Sequence, residues 1–383
     1  MSPPHLVLAL SGHGYGHLAQ CAPVINALWA ERPDLKLTVC GALPRDIVAE
    51  RLDRTFDCRC VELDPVLQMV SAWEVDTPAS QQVYRAFHDN RDAGLQQDMD
   101  LLRQLSPDLV LADIPWRILS AAAQLEIAAI GLCSLNWAAI YAAYCQGDSK
   151  DRQIINQIMS SYQTADVFLT PEPSIPMPQL DNAVAIGPIA RRGTRQKSAL
   201  CVQYGIPRVA NIVLVALGGI PTEMPLEHWP RIDNTVWLFS GEVSLLRDDF
   251  LDASASGLPF IDVLASIDAV LTKPGYGTYT EAVCNGVPVL SIERPDWPET
   301  TVLNRWVQQY GHIEVITHAQ LNSGTFVPQL QALLAAAPSP GIEPTGIRQA
   351  ADHIQALLCG SAHKKSGPEA ALRSVNEKNV RRS

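Results

Sequence analysis

Two doubly wound α/β halves are the fold this sequence predicts, on three observations. Continuous apolar runs of strand length, such as Leu6 to Leu10, Leu109 to Ala112 and Ala210 to Leu217, alternate with amphipathic stretches, as in parallel sheets covered on both faces. The series runs twice, on either side of a Pro/Gly/Arg-rich stretch between Thr170 and Lys197. At 383 residues the chain also exceeds one ordinary domain of roughly 100–200 residues. The expected division is residues 1–187, residues 188–360 and a tail of residues 361–383.

Composition narrows the function. Charged residues make up 18% of the chain against roughly 25% in ordinary globular proteins, which suits large buried sheets. The formal net charge is −11, and the segment from Ser361 to Ser383 carries six Lys/Arg against two Glu, so the rest stands at −15 and offers no basic face to nucleic acid. That last segment, polar and poor in aromatics, reads as a disordered basic tail. Nine scattered cysteines fit a reducing cytoplasm better than a disulfide framework. No metal site is expected: Cys58 and Cys60 lack a Cys/His cluster nearby, and Asp98 and Asp100 would stand about 200° apart on a helix. No apolar run approaches the roughly 18 residues of a membrane span, and the start lacks a signal-peptide layout.

In chain order, Leu6 to Leu10 is the first strand, Ser11 to His17 a glycine-rich crossover and Leu18 to Arg32 a helix. With a second strand over Leu35 to Cys40 this makes a right-handed βαβ start. A dinucleotide fingerprint opens with Gly12 and Gly14 but fails, because Gly16 comes one residue early and the second strand ends in Cys40-Gly41 rather than in an acid. Pro44 to Leu52 reads as helix, Asp57 to Leu63 as strand, Asp64 to Pro78 as an irregular excursion that is also a candidate acceptor-side loop, and Ala79 to Leu105 as one long polar helix. Asp113 stands at the carboxyl end of the next strand, the end that faces the same crevice as the first loop. Pro115 to Leu125 is helix, Ala128 to Leu132 strand, Trp137 to Tyr162 helical, and Val167 to Leu169 the last strand of the first half. Ala185 to Lys197 reads as linker. In the second half Ala210 to Leu217 runs into Gly218-Gly219, and Val236 to Phe239, Ala269 to Thr272 and Val287 to Ile292 supply further strands.

The stretch Lys273 to Ile292 carries the clearest chemistry. Gly275 and Gly277 are expected to turn the backbone tightly and let it approach a ligand. The helix that starts at Tyr276 would turn unpaired N–H groups and the positive end of its dipole toward a phosphate. Glu281, one turn in and on an exposed face, would accept two hydrogen bonds from a ribose diol.

Two halves with a glycine loop after the first strand of each, followed by this clamp, resemble the two-domain GT-B glycosyltransferases, which implies two Rossmann-like doubly wound domains facing each other across a cleft. The likeness is to the UDP-dependent glycosyltransferases, the peptidoglycan N-acetylglucosaminyltransferase and the glycosyltransferase-like N-terminal half of plant L-arabinokinase, and it covers most of Leu6 to Leu358. The resemblance implies that His17, in Gly16-His17-Leu18, is the catalytic base and that Asp113 orients it. It implies a donor site on the second domain: Gly218 and Gly219 at the diphosphate, Phe260 and Ile261 at the base, Gly277 and Thr278 at the phosphate turn, Glu281 on the ribose, Glu299 and Thr300 at the sugar. The family's usual acid-Gln pair is absent there, and Pro295 and Pro298 reshape the loop.

The expected activity is therefore metal-independent transfer of a sugar from a nucleotide sugar, UDP-linked by family preference, to a small-molecule or lipid-linked acceptor, with no cofactor. Lys273 would help neutralise the departing diphosphate, and His13 and Tyr15 would line the acceptor side. The rival readings are a nucleotide-sugar epimerase or phosphorylase of the same fold, and a non-catalytic nucleotide-sugar-binding protein.

Overall fold

The computed structural model describes residues 3–13, 16–71, 73–218, 224–241 and 247–366. The first half comprises β1 (His5–Leu10), α1 (Gly16–Glu31), β2 (Lys36–Gly41), α2 (Arg45–Ala49), β3 (Asp57–Cys60), α3 (Thr77–Asp89) and α4 (Arg91–Leu105). It continues through β4 (Leu109–Asp113), α5 (Arg117–Gln124), β5 (Ala128–Leu132), α6 (Trp137–Tyr144), α7 (Ser149–Tyr162), β6 (Val167–Pro171) and β7 (Ala183–Ile186). The second half holds α8 (Lys197–Tyr204), β8 (Asn211–Ala216), β9 (Thr235–Phe239), β10 (Phe250–Asp252), α9 (Phe260–Ser266), β11 (Ala269–Thr272) and α10 (Tyr276–Cys284). After it come β12 (Val289–Ile292), α11 (Thr300–Tyr310), β13 (Ile313–Ile316), α12 (His318–Ser323), α13 (Val327–Ala335) and α14 (Gly346–Ser366).

Both sheets are parallel throughout the named strands, with orders β3-β2-β1-β4-β5-β6-β7 and β10-β9-β8-β11-β12-β13. The strand order reverses between β1 and β4 in one and between β8 and β11 in the other, and it is outside the carboxyl ends at such reversals that open α/β sheets bind ligands. The central strands β1, β4, β11 and β12 are buried along their whole length, which is why they read as unbroken apolar runs. Leu10 pairs with Asp113, and the Ser11 N–H donates to the Asp113 carbonyl at 2.9 Å, so the loop after β1 and the end of β4 are bound side by side.

Several expectations are corrected. The stretch Ala79 to Leu105 is two helices, broken at Asn90, whose backbone (φ −100°, ψ 18°) is not helical. Trp137 to Tyr162 is also two, because Asp148 caps α7 by accepting from the N–H groups of Lys150 and Asp151. Ala183–Ile186, read partly as linker, pairs with β6 as the edge strand β7. The last helix, expected within the second domain, crosses back: α14 packs on α1 and against β4, β5 and β7. It also runs to Ser366, into the segment expected as a disordered tail. The remainder of that tail, residues 367–383, lies outside the described residues.

The chain passes between the halves twice, and the two crossings touch. The Gly346 N–H donates to the Pro188 carbonyl at 3.0 Å, and the Gly187 N–H to Gln349 Oε1 at 2.7 Å. From there the linker lies along α10: Ile189 N–H donates to the Tyr276 hydroxyl, Thr280 Oγ1 to the Ile189 carbonyl and Gly193 N–H to Asn285 Oδ1. One apolar cluster accordingly spans both halves, from Leu18 and Leu28 of α1 through Ala350 and Ile354 of α14 to Tyr276, Tyr279 and Val283 of α10.

Candidate active site

The N-terminal side of the cleft is built on β1, α1 and β4. His17, in the first turn of α1, is 5% exposed, and its Nδ1 lies 2.9 Å from Oδ1 of Asp113, itself fully buried. The Asp113 carboxylate accepts from Nδ1–H, leaving Nε2 as the free nitrogen. Burial by itself would lower the His17 pKa, but the charge and hydrogen bond of Asp113, with smaller contributions from Asp64 and Glu299, outweigh it and the net shift is upward. The second Asp113 oxygen accepts from Cys21 Sγ at 3.5 Å. Donor atoms of His17, Asp113 and Cys133 lie within 4.8 Å of one another, close enough to hold a metal ion. Burial pushes the Cys133 thiol well up, with the Asp113 charge adding to it, which disfavours the thiolate such a ligand needs.

Beside this pair Asp64, Ser11 Oγ and Trp137 Nε1 are buried together without a well-formed hydrogen bond. The Ser11 hydroxyl and the Trp137 N–H favour the Asp64 carboxylate, but burial outweighs them and lifts its pKa to about 6. His13 stands edge-on to Trp137 at 5.4 Å and stacks on Trp297 of the second half at 6.4 Å. Burial and the charges of His17, Arg294 and Lys273 drive its pKa down to about 3, so it is neutral at physiological pH.

The C-terminal side is built on the ends of β8, β11 and β12. Gly218 follows β8 with φ +83°, a left-handed backbone that suits glycine. Its neighbour Gly219, like Tyr15, lies outside the described residues. Gly275 and Gly277 do not make the tight turn expected of them. Gly275 is extended (φ −168°) as the N-cap of α10, and Gly277 is helical. Their small size matters in another way: a Cβ at Gly275 would meet only the Lys273 carbonyl at 3.9 Å, and one at Gly277 would meet Ala19 of α1 at 3.5 Å, across the cleft. Thr278 is half-buried in the first turn of α10, where no side chain caps the helix. Phe260 and Ile261 open α9, and the Ile261 carbonyl packs close against Gly193 of the linker.

Glu281 is not on an exposed face. It is 6% exposed, covered by the linker, and its Oε1 accepts from Arg191 Nε at 3.0 Å. Burial raises its pKa and Arg191 opposes the rise. Glu299 is likewise engaged: Oε1 accepts from Ser134 Oγ of the first half at 2.9 Å, and Oε2 from Trp297 Nε1 at 3.0 Å. Ser134 also accepts from Gln20 of α1, so a hydrogen-bonded chain runs from α1 to α11 across the cleft. Thr300 Oγ1 donates to the Arg294 carbonyl at 2.7 Å and shapes the loop before α11. Lys273, next to the end of β11, has a pKa lowered to about 8 by burial and by Arg294.

The structure thus brings His17, His13, Asp113, Glu299 and Lys273 to one closed cleft, and turns Glu281 toward the linker. Sequence reasoning missed Asp64, Ser134, Arg294 and Trp297. A usable signal existed for Ser134 and Arg294, since each stands just beyond the carboxyl end of a parallel strand, as Asp113 does at its own. Asp64 and Trp297 lie in irregular loops with no such marker.

Comparison with known proteins agrees with this architecture. No family model matches the chain. L-arabinokinase of Arabidopsis thaliana is 26% identical over 343 residues, 88% of this chain and 33% of its own length. An uncharacterized glycosyltransferase of Methanopyrus kandleri, MK0977, is 25% identical over 236 residues, 57% of this chain and 66% of its own. The chain therefore spans about a third of the first relative and 66% of the second. Among solved structures, the calicheamicin glycosyltransferase CalG4 superposes with a TM-score of 0.59 at 17% identity, covering 98% of each chain. A Listeria monocytogenes protein assigned as a UDP-N-acetylglucosamine 2-epimerase gives 0.55 at 13% identity, covering 95% of this chain and 98% of its own. The chain has the two-domain GT-B fold of glycosyltransferases. Among the described residues no helix is long and apolar enough to cross a membrane.

Proposed function

We propose that the protein is a glycosyltransferase that moves a sugar from a nucleotide sugar, UDP-linked, to a small-molecule or lipid-linked acceptor, with no metal or cofactor. One observation carries the reading: the buried His17–Asp113 pair at 2.9 Å stands at the reversal point of the first sheet and faces residues at the strand ends of the second. His17 Nε2 removes the acceptor's proton as its oxygen attacks the anomeric carbon and the bond to the nucleoside diphosphate breaks. Asp113 holds the Nδ1–H tautomer and stabilises the imidazolium. The departing negative charge meets Lys273, the uncapped N-terminus of α10 at Gly275 to Thr278, and the loop of Gly218 and Gly219. Glu299 and Thr300 lie on the sugar side, Phe260 and Ile261 toward the nucleobase and Glu281 toward the ribose, the last after Arg191 yields. His13 and Tyr15 line the acceptor side with Asp64.

The epimerase reading has one neighbour in its favour, the Listeria protein. Products separate the two. A thermal-shift screen of nucleotide sugars should find a donor, because a ligand at 100 times its dissociation constant adds roughly 2.7 kcal/mol. With that donor, nucleotide release that depends on an acceptor supports transfer. A C2 epimer formed without an acceptor refutes it.

A further inference from the structure

Arg294 is a buried guanidinium that hydrogen-bonds no carboxylate among the described residues. The side chain is 4% exposed, and its Nε and Nη2 are buried without a hydrogen-bond partner. Its guanidinium sits over the Trp297 ring, with Cζ 4.1 Å from the ring centroid, a cation–π contact. The charges of Asp296 and Glu299 act on it, but neither carboxylate hydrogen-bonds it: Asp296 is exposed, and the two Glu299 oxygens are engaged by Ser134 and Trp297. Lys273, half-buried, stands beside it: Thr272 and Ser291 are register partners on β11 and β12, and the two cations follow just beyond those strand ends. Keeping a guanidinium desolvated with two of its nitrogens unpaired is costly, and an anionic ligand group would offset that cost.

The position of Arg294 separates this seat from the diphosphate. The loop after β8 and the N-terminus of α10 flank the β8/β11 reversal, whereas Arg294 lies one strand further out, beyond β12. Rings then lead from it toward the base: Trp297 stacks on His13, His13 meets Trp137 at 5.4 Å, and His17 lies 5.7 Å from Trp137. That is the side on which a transferred sugar would face His17. Arginine's planar fork matches a carboxylate with two parallel hydrogen bonds.

We infer that Arg294 seats a carboxylate on the transferred sugar, so that the donor is a nucleoside-diphosphate uronic acid. This rests on the donor reading above. The test is calorimetric titration of the full chain and of Arg294→Gln and Arg294→Lys with UDP, UDP-glucose, UDP-glucuronate and UDP-galacturonate. The wild type should bind one of the uronates roughly tenfold or more tightly than UDP-glucose. Arg294→Gln should erase that preference while leaving UDP and UDP-glucose within about threefold, and Arg294→Lys should keep only part of it. The melting temperature of Arg294→Gln should not fall, because that substitution removes a buried charge with unpaired nitrogens. Uronates bound no better than UDP-glucose by the wild type overturn the inference and leave the donor reading standing. Equal weakening of all four ligands in Arg294→Gln would assign the fork to the diphosphate instead. Absence of binding by any of the four takes down both readings for UDP donors.

Discussion

Asp113→Asn tests the heart of the site. The substitution keeps the side chain's shape but removes the charge that His17 Nδ1 faces at 2.9 Å. Two opposing influences set the His17 pKa: burial, the larger single one, lowers it, and Asp113 leads the carboxylates that raise it above its ordinary 6.5. Removing the Asp113 charge leaves burial opposed only by the lesser contributions of Asp64 and Glu299, so the pKa should fall below 6.5. A raised folded-state pKa contributes stability that is complete below the unfolded value and is lost as pH rises through the folded one. The variant should lack that contribution. Titration by NMR with labelled histidine reads the shift without any knowledge of the acceptor. Turnover should drop about 10³–10⁴-fold, or about 4–5.5 kcal/mol of activation free energy, because the imidazole loses both its tautomer and the partner of its charged form. The acidic limb of the rate profile should move to lower pH with it. Donor affinity should stay within about threefold, since Asp113 belongs to the opposite sheet. His17→Ala should cost as much, and the double variant little more than the worse single one. An unmoved His17 titration, additive losses, or a loss of donor affinity as large as the loss of turnover would refute the base-and-orienter assignment.

Two further outcomes are expected. Glu281→Gln should lower stability by about 1–2 kcal/mol in urea denaturation, because it breaks a largely buried pair with Arg191, whose own side chain is 31% exposed and partly rehydrated. The same variant should weaken UDP binding about tenfold if the carboxylate reaches the ribose; unchanged affinity would remove Glu281 from the donor site. Gly346→Ala should destabilise by about 1–3 kcal/mol, since the new Cβ would fall 1.9 Å from the Gly187 carbonyl where the two crossings touch. Gly360→Ala, with open space around it, is the control and should be neutral or slightly stabilising by thermal melting.

The architecture was legible where burial is complete. β1, β4, β11 and β12 have no exposed residue, so each had to be an apolar run, and the runs could be counted. The edge strands β7, β10 and β13 were missed because they are short and half exposed, and a mixed pattern of three or four residues has no period to read. The break at Asn90 and the Asp148 cap were hidden inside polar helical stretches, where helix propensity runs on across a break.

At the site, the sequence by itself determined which residues stand at the ends of parallel strands, because local periodicity marks where each strand stops. That was enough to place Asp113 and Lys273 at strand ends, while the roles of His17 and Asp113 came from the resemblance to the GT-B glycosyltransferases. Tertiary structure alone decided their partners. Whether a carboxylate is free or spoken for depends on what the folded chain lays over it, and those contacts join residues far apart in sequence: Arg191 on Glu281, and Ser134 on Glu299. The same holds for Arg294, an ordinary arginine in a Pro-rich loop until the packing of Trp297 buries it with two nitrogens unpaired. Strand ends follow from short-range pattern, whereas the pairing of charges follows from long-range packing, which no window of sequence contains.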